Sequence, residues 1–185
     1  MVNNIIDLLS TYTIGTPDFG HSDVWHFNFA LKFFLSKTLK AGYFPFWSKD
    51  IGTGFPLLGE GQIGMFNLVN LILFKFLNPI LAFNLGLISI VLTTVSGTYL
   101  FCRTIKLSRL ASLFAGIIFS LSGVFVTQFV HYNLIQGASF LPWELFLIEI
   151  FLQKQKKLAL LGLVFIVNQQ IFAGFQQSTM IALII

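Results

Sequence analysis
The chain has 185 residues, of which 56% are apolar and 10% charged, and it carries a formal charge of +4. An ordinary soluble domain is about a quarter charged, so water is the wrong solvent for most of this sequence and a soluble globular protein is excluded. The basic balance is not a nucleic-acid signature either, because the charged groove and stacking platform that such binding requires are missing.

Charge placement says more than charge sum. Arg103, Lys106 and Arg109 fall in one short stretch and Lys154, Lys156 and Lys157 in another, each between apolar segments. Under the positive-inside bias both read as cytoplasmic loops. The single cysteine, Cys102, leaves no disulfide framework and no Cys/His zinc cluster. The start of the chain, with Asn3, Asn4 and Asp7, does not read as a secretory signal.

In chain order, residues 1–64 form a polar, partly irregular segment that holds Asp7, Asp18, Asp23, Asp50 and Glu60, most of the acids. Between 22 and 41 the pattern predicts an amphipathic helix: Asn28, Lys32, Ser36 and Lys40 repeat every fourth residue, with Val24, Phe27, Leu31, Phe34 and Leu35 largely opposite. Phe29 and Phe33 interrupt the polar face, and the helix is expected to lie in the membrane interface with Trp25 and Trp47 at headgroup level. Residues 65–77 are apolar but short of the roughly twenty residues that cross a bilayer, which suggests an interfacial or re-entrant segment.

Asn78-Pro79 breaks the chain and suits the first turn of a helix. Four spans are predicted after it, over 79–102, 110–130, 134–152 and 158–185. In the second, Ser112, Gly116 and Ser120 recur every fourth residue, a small-residue stripe that lets another helix approach. The fourth contains the polar patch Asn168, Gln169 and Gln170, with Gln176 and Gln177 further on; facing lipid the four glutamines would be costly, so they are expected to bond neighbouring helices or line a polar cavity, the first role being favoured. Glu144 lies two residues after Pro142, in the first turn of its helix if that helix starts there, where the macrodipole favours a negative charge. The fold class is therefore an all-α, polytopic integral membrane bundle. Alternation puts 1–64 outside; a long polar segment with four lysines does not cross unaided, so an upstream span is expected and both ends read as incomplete.

The outer segment holds an ordered set of motifs. Asp23 precedes the amphipathic helix, and Pro45-x-Trp47, Gly52-x-Gly54-x-Pro56 and Gly59-x-Gly61-Gln62-x-Gly64 follow. Further on come Leu107-Ser108-Arg109, Phe119-Ser120-x-Ser122-Gly123, His131, Leu141-Pro142-Trp143 and Ala173-Gly174-Phe175-Gln176. In this order the set resembles the YfhO-like bacterial membrane proteins. The resemblance implies the glycosyltransferase C (GT-C) superfamily fold and transfer of a sugar from a polyprenyl-phosphate donor to a cell-envelope acceptor at the outer face of the bacterial plasma membrane. In that superfamily an early outer-loop acid is central to catalysis, and Asp23 is the matching position. Val24 stands where a second acid would follow it.

A carboxylate there can take the acceptor's proton or hold Mg2+ or Mn2+ against the departing phosphate, with Asp18 and Glu60 as candidate second acids. Without the motif set, Asp23 reads as a helix N-cap. Trp47, Glu60, Gln62, His131 and Gln176 are candidate substrate contacts. The alternative is a non-enzymatic membrane protein, a transporter or a lipid or envelope assembly factor, although the spans carry few acids beyond Glu144 and Glu149 for ion coupling. A fragment without partner helices is expected to be inactive alone.

Overall fold
The computed structural model describes residues 23–49 and 51–184. Asp18 and the side chain of Trp25 lie outside the described parts. The described residues are helical, with no strand and one isolated bridge between Ser48 and Phe55.

A π-helical turn, Val24–Phe29, runs directly into α1 (Ala30–Lys40). The polar stripe expected on this helix is present but turns toward the rest of the chain, with Asn28, Lys32 and Ser36 buried and Lys40 at the exposed end. Asn28 donates to the Val130 carbonyl at 2.9 Å, Lys32 to Ile63 at 2.9 Å, Ser36 to Phe74 at 2.8 Å and Lys40 to Leu77 at 2.7 Å. Phe27 and Phe33 are exposed on the outer surface of the same helix. The reason is the solvent: beside lipid, unsatisfied carbonyls at helix ends and turns are costly, and a row of donors one turn apart meets four of them.

A short helix, α2 (Leu57–Glu60), and a turn lead to α3 (Leu68–Phe76), whose first turn is capped by Asn67 Oδ1 accepting from Val69 and Asn70. The long helix α4 (Pro79–Thr104) starts where Asn78 accepts from Ile80 and Pro79 supplies a first-turn position with no donor to satisfy. Several of its hydroxyls return to its own carbonyls: Thr94 to Ile90, Thr98 to Thr94 and Thr104 to Leu100. They therefore need no partner in an apolar surrounding.

α5 (Arg109–Ser120) is capped by Ser108 and packs on α4. Ser112, Gly116 and Ser120 are its buried residues, and a Cβ on Gly116 would stand 2.8 Å from the Val95 carbonyl oxygen. The small-residue stripe thus sets how close the two backbones come. After a turn at Leu121-Ser122 the chain resumes as α6 (Gly123–Thr127). Next come α7 (Tyr132–Ala138) and α8 (Leu141–Lys154), then α9 (Lys157–Phe172) and α10 (Gln176–Ile184).

Among the described residues three stretches are long and apolar enough to cross a membrane: Pro79–Thr104, Arg109–Thr127 and Tyr132–Lys154. Where the sequence pattern ran as one span over 158–185, the structure has α9 and α10 separated by a turn at Ala173-Gly174-Phe175. Gly174 has φ +95°, and a Cβ there would lie 2.5 Å from the Gly61 carbonyl oxygen. The turn sits against the 61–64 loop, which an L side chain would push away. Glu144 falls in the first turn of α8, as the Pro142 spacing suggested, and is buried.

The two basic stretches close the α4–α5 and α8–α9 connections, and Gln153 donates to the Thr104 carbonyl between them. They share one end of the bundle. Residues 128–131, 173–175 and the 61–64 loop gather at the other.

Candidate functional site
The pocket end of the molecule is held by a buried polar knot. Asn70 Nδ2 donates to the Gly64 carbonyl and to Gln136 Oε1, each at 3.1 Å, and its Oδ1 accepts from the Tyr132 hydroxyl at 3.2 Å and from Gln136 Nε2 at 3.1 Å. Asn67 Nδ2 donates to the Gln169 carbonyl, Gln169 Oε1 accepts from the Leu68 amide, and Gln170 donates to Gly137. Gln169 and Gln170 therefore tie α9 to α3 and α7, the bonding role their cost in lipid suggested.

Lys32 completes the knot. It is 0% exposed, bonds Ile63 and stands 4.9 Å from the centre of the Tyr132 ring. Burial lowers its ammonium from 10.5 to about 7, opposed by the charge of Glu60. Burial likewise raises the Glu60 carboxyl, opposed by hydrogen bonds from Gln62 and by Lys32.

Above this base lies a pocket of about 220 Å³, lined among others by Asp23, Asn28, Gln62, His131, Asn133 and Phe175. Asp23 stands at the N-cap position, yet its side chain makes no capping hydrogen bond. Its Oδ2 is instead 3.3 Å from His131 Nε2, and the other ring nitrogen, Nδ1, is 2.7 Å from Gln128 Oε1. The cap explanation for Asp23 is thereby removed. An imidazole fixed at both nitrogens holds the carboxylate in place, while the pair keeps 44% and 64% side-chain exposure for His131 and Asp23. Such a pair can accept a proton from a hydroxyl that reaches it.

Of the residues singled out by sequence, Asp23, Gln62 and His131 meet in this pocket. Glu60 lines a second, larger cavity of about 890 Å³ whose walls include Phe27, Phe29, Phe33, Phe34, Ile51 and Phe55, with His26 and Lys37 as further polar members. Phe27 belongs to both walls. Trp47 is exposed, lies over Gly54 and borders neither cavity, and Gln176 is exposed at the start of α10 next to Phe175.

As for a cation, no group of three or more His, Cys, Asp or Glu comes together among the described residues. The pocket's described residues supply one carboxylate, already facing an imidazole; Mg2+ prefers an octahedron of oxygens. Mg2+ is commonly held by one or two carboxylates, with waters and substrate phosphates completing its shell, so Asp23 is the described pocket residue that would hold such an ion.

The chain matches no family model, no curated protein and no solved structure.

Gln128, Asn133, Asn70 and Gln136 were not singled out from sequence. Asn70 and Gln136 could have been, by the argument used for Gln169 and Gln170: amides in apolar helices need partners. Gln128 carried only its place three residues before His131.

Proposed function
We propose that this chain is part of a membrane glycosyltransferase that moves a sugar from a polyprenyl-phosphate donor to an envelope acceptor at the outer face of a bacterial plasma membrane. The observation that carries the reading is the Asp23–His131 pair in a small pocket with polar groups in its wall, which shares Phe27 with a large apolar cavity. A donor of this kind has two unlike ends: a sugar phosphate, which needs polar groups, and a long hydrocarbon, which needs apolar walls. A small pocket with polar groups beside a large apolar cavity suits it. The pocket also lies at the bundle end away from the basic connections, which the positive-inside bias assigns to the outer face.

In this reading Asp23 is the base. The acceptor hydroxyl attacks the anomeric carbon, the bond from that carbon to the phosphate oxygen breaks, and the phosphate leaves with the electron pair. The hydroxyl proton passes to the Asp23 carboxylate, and His131, held by Gln128, keeps that carboxylate aimed. The outward aromatic face of α1 holds the segment at the lipid surface, where the donor's chain lies.

The test is transfer of labelled sugar from a polyprenyl-phosphate donor by the intact protein in membranes. Asp23→Asn is expected to lower transfer about a hundredfold or more at equal expression. Undiminished transfer by that variant would remove Asp23 from the chemistry. A lipid-handling assembly factor is the second reading, favoured by the size of the apolar cavity; binding of the lipid by native protein with no transfer in any preparation would select it.

A further inference from the structure
One buried side chain of the pocket makes no hydrogen bond to the rest of the fold. Asn133, in the first turn of α7, is 2% exposed and lines the cavity beside Asp23 and His131. Neither its Nδ2 nor its Oδ1 has a hydrogen-bond partner. Its neighbours are committed: Asn28 Nδ2 donates to the Val130 and Asp23 carbonyls, and Gln136, one turn along α7, is bonded within the knot. A buried amide with both ends unpaired destabilises a fold, and a leucine of similar shape would avoid that cost. Because nothing is bonded to it, turning the side chain toward a ligand in the pocket would break no hydrogen bond.

A carboxamide presents a donor and an acceptor side by side. Its complement is a ligand with two adjacent groups, one accepting and one donating, which is what neighbouring hydroxyls on a sugar ring offer. A phosphate offers acceptors alone and would leave Oδ1 unpaired, and a hydrocarbon would use neither atom. The cavity, at about 220 Å³, is below the roughly 300–1,000 Å³ of drug-sized sites, so it takes one ring and not a chain of them.

We propose that Asn133 is the residue that recognises adjacent hydroxyls of a single sugar ring in the Asp23–His131 pocket. This rests on the reading of that pocket as the sugar-transfer site. Asn133 is then a binding and selectivity residue, not the base.

The experiment uses the full chain in detergent, with methyl glucopyranoside, its galacto and manno epimers and their monodeoxy analogues as probes. Binding is followed by saturation-transfer NMR and folding by the thermal midpoint. At least one epimer is expected to bind the native chain, and Asn133→Leu to weaken it about tenfold or more through loss of two hydrogen bonds, with a midpoint equal to or above native. Removing either of the two adjacent hydroxyls should weaken binding to the native chain and change little for the leucine variant. Asn133→Asp, which keeps size and acceptor but loses the donor, gives the same comparison if the leucine variant does not fold.

Native-like binding by both variants overturns the proposal, as does a lowered midpoint with unchanged affinity, and so does no binding of any epimer to the native chain. Asn133-dependent binding in a chain that transfers no sugar supports the proposal while removing the transferase reading.

Discussion
Replacing Lys32 with methionine tests the inward polar stripe of α1 directly. The folded-state ammonium is lowered by burial from 10.5 to about 7, whereas the unfolded chain has an ordinary lysine. The unfolded state then binds more protons between those two values, so stability must rise with pH across that window and be lowest beneath it. The whole shift amounts to about 5 kcal/mol, and the part gained between about pH 7 and about pH 9 is about 2 kcal/mol. Lys32→Met retains the apolar stem and removes the titrating group. It also strands the Ile63 carbonyl, at a cost of about 1–3 kcal/mol that does not depend on pH. Glu60, whose carboxyl burial raises above 4.5, acts in the opposite direction: its contribution falls as pH rises through its own titration range, and the residue is present in both proteins. Reversible unfolding in mixed micelles, followed by tryptophan fluorescence at the two pH values, should give a rise of about 2 kcal/mol for the native chain and a much smaller one for the variant. Equal pH dependence in the two proteins would refute the buried amine.

Asn70→Leu removes four hydrogen bonds at once and leaves the Tyr132 hydroxyl and Gln136 Oε1 unpaired, while the Gly64 carbonyl keeps the Asn67 amide. The expected loss is about 3 kcal/mol or more, read as a fall in the same unfolding midpoint, and a loss below about 1 kcal/mol would mean that the knot does not hold this end together. Gly174→Ala puts a Cβ 2.5 Å from Gly61 O and 2.7 Å from Gln62 Cα at a φ of +95°. Both obstacles are backbone, so the loop must move, at about 1–3 kcal/mol, and sugar transfer should fall with it because Gln62 is a pocket wall; an unchanged midpoint and unchanged transfer would show that the 61–64 loop tolerates the shift.

The helical membrane character was readable from composition, because no other class of chain carries so few charges among so many apolar residues. Asn78-Pro79 announced the start of α4 through local chemistry alone. The stripe of Ser112, Gly116 and Ser120 was visible as a pattern, and its partner in α4 was not, since spacing on one helix does not name the neighbour. Direction was the hidden quantity in α1. Asn28, Lys32, Ser36 and Lys40 give the same periodicity whether they face water or the carbonyls of other segments, and only the fold decides. The breaks at Leu121-Ser122 and at Ala173-Gly174-Phe175 were missed because apolar content continues through them. At the site, Asp23 and His131 could each be picked out, but their pairing joins positions far apart in sequence. Asn133 carried no local signal, since what distinguishes it is a lack of partners in three dimensions.

The four carbonyls that receive the α1 stripe belong to Ile63, Phe74, Leu77 and Val130, the last of them 102 residues from its donor. During synthesis α1 emerges before all of these. Until the turn ending at Val130 has been made, Asn28 has no acceptor there, and until α3 is formed Ser36 and Lys40 lack theirs. The inward seat of this helix is therefore completed only once the later segments are in place. The pocket, walled by both the earliest and the latest of these segments, is among the last parts of the molecule to exist.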